Sequence, residues 1–334
     1  MDPGRRRALA GYLPEPLVVI PEGDSPPAQG VLPFKRLLLV LGVVATAYAV
    51  VLLLWGDSPR TSLALLWSWT GAQAAGLCLL NYLLRGLRWR LWMAHFGRHF
   101  GWLQGLRLYL AGYAFTPTPG NVGEAVRGLM LAQQPLGTAQ SLAIFGAERL
   151  ADLLCLLLLS LPALGWVLGH GALQAVSTLI SALLAVAVVL LLAVAGLLFK
   201  HRDRVFASLP WLQEAWYCLS VRPWLWFGLT LAAWAAQGLA VWLICRAMNV
   251  HLELLTATGF YAVAMVAGAL SALPAGLGGT EAVLTGLLVV QSATPAAALS
   301  ITVMVRLLTL WLAVAIGVVA LLYSAAIRKE ISFR

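Results

Sequence analysis

The chain has 334 residues, of which 61% are hydrophobic and only 10% are charged, and its formal net charge is +9 at pH 7. Soluble domains usually carry about 25% charged residues, so this composition excludes an ordinary soluble protein. The basic residues lie in clusters beside long apolar runs, which argues against a nucleic-acid-binding protein and favours a membrane protein that follows the positive-inside rule.

Uncharged apolar runs recur along the chain at the length that crosses a bilayer core as a helix, about 20 residues. They occupy 37–55, 61–84, 171–199, 223–245 and 307–327. A transmembrane β-barrel would instead need short alternating strands, and the sequence has no such pattern. We therefore predict an all-α, polytopic membrane protein.

The basic loops predict how these segments are oriented. Taken in chain order, the predicted crossings are 37–55, 61–84, 139–161, 171–199, 223–245 and 296–323. With the N-terminus inside, every strongly basic loop then lies on the cytoplasmic side, which gives about six transmembrane helices with both termini in the cytoplasm. Residues 1–34 are expected to form a flexible cytoplasmic tail, 35–328 the membrane domain and 329–334 a cytoplasmic C-terminal tail.

Two further apolar regions, 102–134 and 254–292, are interrupted midway by proline and glycine. Each half is too short to cross alone, so we predict two re-entrant helical hairpins. A kinked full crossing in each region is the alternative, because the charge distribution fits either both as hairpins or both as crossings. The residues that break the helices are Pro117, Pro119, Gly120, Gly123, Pro274, Gly276, Gly278 and Gly279.

The two halves of the chain match at an offset of 157 residues (281 − 124 = 157). At this offset "EAV" at Glu124 falls on "EAV" at Glu281, and "RL" at Arg149 falls on "RL" at Arg306. Repeat 1 spans about 61–162 and repeat 2 about 223–323, and one crossing separates them. The predicted arrangement is therefore a pair of inverted repeats, as in many transporters, although chance matches in so apolar a chain remain the alternative.

The charged residues at the predicted hairpins and in the crossings that follow them are the candidate site. A half-helix that begins near Asn121 would point free N–H groups at the break, a position that binds anions. Glu124 and Glu281 fall in the first helical turns, where they could cap a helix, handle a proton or cation, or form an ion pair. Charges inside a membrane helix are costly and indicate function or mutual pairing. Those in the crossings are Glu148, Arg149, Asp152 and Arg306.

Two alternatives remain open for the Glu124 and Arg149 pair and the Glu281 and Arg306 pair. The 25-residue spacing in both halves (149 − 124 = 25) suits a structural clamp as well as a substrate-binding role. Arg127 has no counterpart in the second half, where Leu284 takes its place.

Arg127 could bind a phosphate headgroup together with Arg85, Arg88 and Arg90, because arginine forks match phosphate oxygens. "RGLRWR", which contains Arg85 and Arg88, could instead be an ordinary positive-inside anchor. The sequence shows no catalytic motif and no metal-ligand spacing among its histidines and cysteines, and we expect no cofactor.

Four motifs in order resemble the flippase-like transmembrane domain of bacterial lysylphosphatidylglycerol synthases: "NYLLRGLRWR", "FTPTPGNVGEAVRG", "ERLADLL" and "LPAGLGGTEA". The resemblance covers roughly residues 35–325. It implies movement of aminoacylated or other phosphate-bearing lipids between leaflets of the bacterial inner membrane. The synthases of this family carry a soluble aminoacyl-transferase domain after the membrane part, whereas this chain ends at Arg334, so we expect no lysyl transfer by this chain.

The expected function is therefore that of a lipid translocase with a membrane lipid as its substrate. An intramembrane transferase acting on a lipid-linked substrate is one alternative. A non-transporting partner of a lipid- or glycan-modifying enzyme is another.

Overall fold

The computed structural model describes residues 64–118, 136–169 and 208–332, together with Glu124, Ala125, Arg127 and some positions within 46–50 and 178–200. Every regular element in these residues is helical. Most of the predicted crossings at 37–55 and 171–199 lie outside them. The same holds for four candidate residues of the first break, Pro119, Gly120, Asn121 and Gly123.

Nine α-helices are numbered here in chain order within the described residues. They are α1 Trp69–His95, α2 Trp102–Ala111, α3 Thr138–Gly169, α4 Pro210–Ser220, α5 Pro223–Ala247, α6 Leu254–Leu270, α7 Gly279–Val290, α8 Pro295–Arg306 and α9 Leu312–Ser332. Short 3-10 turns cover Gly112–Phe115 and Pro274–Gly276, and a π-helical turn at Leu307–Trp311 joins α8 to α9.

In the part of the chain that the structure describes, two helices are long and apolar enough to cross a membrane, namely Pro223–Ala247 and the continuous stretch Pro295–Ser324. Helices α1 and α3, with 27 and 32 residues, are also long enough at about 1.5 Å per residue, but each carries three charged side chains. Ser68 caps α1 by accepting the Gly71 N–H at 3.3 Å. These lengths and compositions agree with an all-α membrane protein.

The second interrupted region forms a helix, a break and a second helix, as predicted. Helix α6 has 17 residues and α7 has 12, and both are short for a bilayer core that takes about 20. Gly276 and Gly278 in the break have φ of +67° and +86°, a conformation that glycine adopts readily. At Gly268 an added Cβ would lie 2.0 Å from Thr280 Oγ1, so α6 and α7 pack closely beside the break.

The first interrupted region is described in part. Helix α2 continues as a 3-10 turn to Phe115 and ends in a turn at Thr116–Thr118, which includes Pro117. Beyond it, Glu124, Ala125 and Arg127 have 3-10 conformation. The order of a short helix followed by a break at proline is thus the same as in the second region.

Small residues allow the helices to approach one another, as is common in membrane proteins. A Cβ on Gly259 of α6 would lie 2.7 Å from the Ala163 nitrogen of α3, and one on Gly317 of α9 would lie 2.4 Å from the Ala114 nitrogen. Helices α1 and α5 are antiparallel. Asn81 Nδ2 of α1 donates a hydrogen bond to the Ala233 carbonyl of α5 at 2.8 Å. Further along α1, the Trp92 ring lies 6.3 Å from the Trp226 ring, which is nearer the start of α5.

Candidate functional site

Asp152 of α3 accepts hydrogen bonds from residues of both α1 and α5 and lies at the centre of the first group of charges. Its Oδ2 accepts a hydrogen bond from Arg85 Nη2 at 2.8 Å, and its Oδ1 accepts one from Arg88 Nη1 at 2.7 Å. Trp234 Nε1 donates to the same Oδ1 at 3.2 Å, and Arg88 also donates to Thr230 Oγ1 at 2.9 Å. These side chains are buried, so the mutual pairing offsets much of their desolvation cost.

Arg127 is enclosed by two carboxylates and two tyrosine rings. Its Nη1 donates to Glu148 Oε2 at 2.9 Å, and its Nη2 donates to Glu124 Oε2. The guanidinium carbon lies 4.4 Å from the centre of the Tyr109 ring, within the range of a cation–π contact. A Cβ on Gly112 would come within 2.0 Å of Arg127 Nε, so this position leaves space only for glycine. Arg127 thus binds protein carboxylates here, and its contact with a headgroup stays a prediction.

The pair in the second half, Glu281 and Arg306, is a close ion pair that also links α8 to the break between α6 and α7. Arg306 Nε donates to Glu281 Oε1 at 2.6 Å, and Arg306 Nη2 donates to the Ala275 carbonyl at 2.8 Å. Glu281 Oε2 accepts the Gly278 N–H at 2.7 Å, which caps the first turn of α7. Glu281 therefore combines two of the roles left open by the sequence, the helix cap and the ion pair.

The matching pair in the first half is looser. Arg149 Nη2 lies 3.5 Å from Glu124 Oε2 and 3.3 Å from Asp152 Oδ2. Glu124 Oε1 instead accepts a hydrogen bond from Thr116 Oγ1 at 2.9 Å. The 25-residue spacing thus brings glutamate and arginine together in both halves, but with different geometry.

A cavity of about 80 Å³ lies where these groups meet. Its wall includes charged residues of both halves, namely Arg85, Glu124, Arg149 and Arg306. Each of the three arginines is at least ten residues from the ends of its helix, taking α8 and α9 as one helix. The cavity is therefore polar and lies deep along the helices.

Uncharged polar and aromatic residues also line the wall, and the sequence did not point to them as site residues. They are Tyr82, Tyr113, Thr116, Trp234, Gln237, Tyr261 and Thr309. Gln237 was detectable as an isolated amide in an uncharged run, and Tyr261 Oη donates to its Oε1 at 2.9 Å. The tyrosines gave no comparable signal, because aromatic side chains are common in any membrane helix.

The π-helical turn also borders this cavity, through Thr309 and Leu310. The Tyr82 hydroxyl lies 3.1 Å from the Leu308 carbonyl and 3.2 Å from the Thr309 carbonyl, so it satisfies backbone oxygens that a π turn displaces. Such turns often occur at functional sites. Within the described residues, no group of three or more histidine, cysteine or acidic side chains is arranged to hold a metal ion.

These features define an integral membrane protein with an ion-paired cavity inside its helices. The model of the lysylphosphatidylglycerol synthase TM region family matches residues 39–317, which is most of the chain. The chain belongs to that family, as its four motifs indicated. A search among curated proteins found no match.

Proposed function

We propose that this protein is a lipid translocase of the bacterial inner membrane, which moves a phospholipid or a lipid-linked phosphate between leaflets. The observation that carries the proposal is the cavity, since three arginines and only one glutamate lie on its wall. A headgroup phosphate crossing the bilayer needs hydrogen-bond donors and positive charge at membrane depth, and arginine provides both. The lipid is moved without covalent change.

The proposed route follows from the two interrupted regions. The starts of two helices support an internal repeat, because α3 begins at Thr138 and α8 at Pro295, again 157 residues apart (295 − 138 = 157). In this proposal the two regions are re-entrant hairpins that enter from opposite faces and meet at the cavity. Both termini are cytoplasmic, and an enzyme that modifies lipids or glycans supplies the substrate.

A leaflet-exchange assay in proteoliposomes tests the proposal. The purified full chain is reconstituted with headgroup-labelled phosphatidylglycerol, a zwitterionic phospholipid or a polyprenyl phosphate, and label in the outer leaflet is quenched from outside. We expect the wild type to expose inner-leaflet label of at least one anionic lipid. Arg149→Gln is expected to slow this exchange about tenfold, the size of one lost charge-assisted hydrogen bond.

Arg246→Gln is the matched control, because Arg246 is exposed and its guanidinium contacts the Trp242 ring, away from the cavity. Folded protein that moves none of the lipids would contradict the translocase proposal. Mass spectrometry of the recovered lipids separates the main alternative, since a change in lipid mass would indicate a transferase.

A further inference from the structure

The two matched arginines differ in how fully they are paired. Arg306 donates short hydrogen bonds to a carboxylate and to a backbone carbonyl, and its side chain is 2% exposed. The Arg149 side chain is 30% exposed. Its Nε and Nη2 atoms are buried and donate no hydrogen bond to a residue that the structure describes, although Nη2 lies 3.3 Å from Asp152 Oδ2 and 3.5 Å from Glu124 Oε2. Both arginines line the same cavity. Arg149 is therefore the less fully hydrogen-bonded of the two, and its side chain is the more exposed.

The position of Arg127 explains why Arg149 is less fully hydrogen-bonded than Arg306. In the second half Glu281 gives its Oε1 to Arg306. In the first half the corresponding carboxylate, Glu124, is already engaged by Arg127 and by Thr116. The residue that matches Arg127 in the second half is Leu284, which is fully buried and offers no competing charge.

The other carboxylate near Arg149 is engaged as well. Asp152 Oδ2 accepts a hydrogen bond from Arg85, and Asp152 Oδ1 accepts one from Arg88. Among the residues that the structure describes, four arginines of this ion-paired cluster (85, 88, 127 and 149) face three carboxylates (124, 148 and 152), which leaves one positive charge in excess. The excess lies beside the cavity at the arginine with the most exposed side chain.

We infer that Arg149 is the anion-binding residue of the cavity and that Arg127 is a positioning residue that keeps Arg149 available by occupying Glu124. Arg306 has a structural role, since it joins α8 to the break before α7. The ligand is a phosphate group, whose oxygens match the guanidinium fork. Naming a lipid headgroup as its source rests on the proposed function, whereas a free phosphate ion would present the same chemistry.

Binding to the purified full chain in detergent tests Arg149 without requiring transport. Short-chain phosphatidylglycerol and inorganic phosphate are each titrated by calorimetry. We expect Arg149→Gln to weaken binding about 10-fold to 100-fold, the range for a hydrogen bond to a charged group, and Arg246→Gln to leave it unchanged. Arg149→Lys keeps the charge but loses the fork, and it should give an intermediate affinity. Wild-type affinity of Arg149→Gln for both probes would overturn the inference.

A double-mutant cycle tests the role of Arg127. Arg127→Leu introduces the residue type that the second half has at the matching position, Leu284. It should weaken binding as much as Arg149→Gln does, because Glu124 can then pair with Arg149. The double variant should then lose nothing more, because both changes remove the same contact. Additive losses would mean that Arg127 itself contacts the ligand and would overturn its positioning role. Arg127→Lys keeps the charge beside Glu124, so it should retain most of the affinity. It is the control for a folding defect caused by substitution at this position.

The two proposals fail separately. Arg149-dependent binding without leaflet exchange would support the inference and contradict the translocase. Arg149-dependent binding of inorganic phosphate alone would support the anion site and contradict a lipid as its ligand. Arg306→Gln provides a further contrast. It should lower the melting temperature, since Glu281 and the Ala275 carbonyl would each lose the hydrogen bond that Arg306 donates.

Discussion

At the scale of single residues, the charges of this protein are retained by mutual pairing. Asp152 accepts from Arg85, Arg88 and Trp234, and Arg127 joins Glu124 to Glu148. Removing one partner from such a group leaves an uncompensated buried charge, which costs much more than removing an exposed one. The network therefore stabilises the helices around the cavity as well as setting its charge.

Asp152→Asn tests this at one position. The substitution keeps the shape of the side chain but leaves Arg85 and Arg88 without their closest carboxylate, and we expect a loss of about 3–5 kcal/mol of stability. Thermal unfolding in detergent measures it. Glu253→Gln is the control, because Glu253 is exposed and caps α6 without a side-chain hydrogen bond. Equal melting temperatures for both variants would show that Asp152 is not needed to offset these charges.

At the scale of elements, glycines set the distances between helices. Gly317 brings α9 against the 3-10 turn at Gly112–Phe115, and Gly259 brings α6 against α3. Gly228 in α5 is different, since a Cβ there meets nothing within 4 Å. The same substitution should therefore affect stability differently at Gly317 and at Gly228.

Gly317→Ala should destabilise the protein by about 1–3 kcal/mol, because the new Cβ would lie 2.4 Å from the Ala114 nitrogen and the backbone would have to move. Gly228→Ala should leave stability unchanged or raise it by up to about 1 kcal/mol, through helix propensity alone. Melting temperatures of the two variants measured side by side decide this. A higher melting temperature for Gly317→Ala than for Gly228→Ala would refute the close approach.

At the scale of the whole molecule, the second interrupted region is either a re-entrant hairpin or a kinked crossing, and these two topologies place its ends differently in the membrane. Helix α5 is long enough to cross, whereas α6 and α7 are short and separated by a break. If the region is a re-entrant hairpin, its two ends lie on one face of the membrane. If it is a kinked crossing, they lie on opposite faces.

Single cysteines at three exposed loop positions, Arg222, Asn249 and Ser292, distinguish the two. They are introduced after the four native cysteines are replaced and are labelled in whole cells with a membrane-impermeant thiol reagent. We expect labelling at Asn249 and Ser292 and protection at Arg222, since the positive-inside rule places the start of α5 in the cytoplasm. Opposite results for Asn249 and Ser292 would establish a crossing instead of a hairpin.

The sequence by itself determined the helical class, the membrane setting and the family, because hydropathy and motif order are local properties of the chain. It also paired Glu124 with Arg149 and Glu281 with Arg306, because equal spacing in two similar halves predicts equal contacts. Only the tertiary structure decided how each pair is made. Two features depend on distances between helices that are far apart in sequence. One is that Glu124 is hydrogen-bonded to Arg127 and not to Arg149, and the other is that Tyr82, Gln237 and Tyr261 line one cavity. Helix packing sets those distances, and no local pattern encodes them.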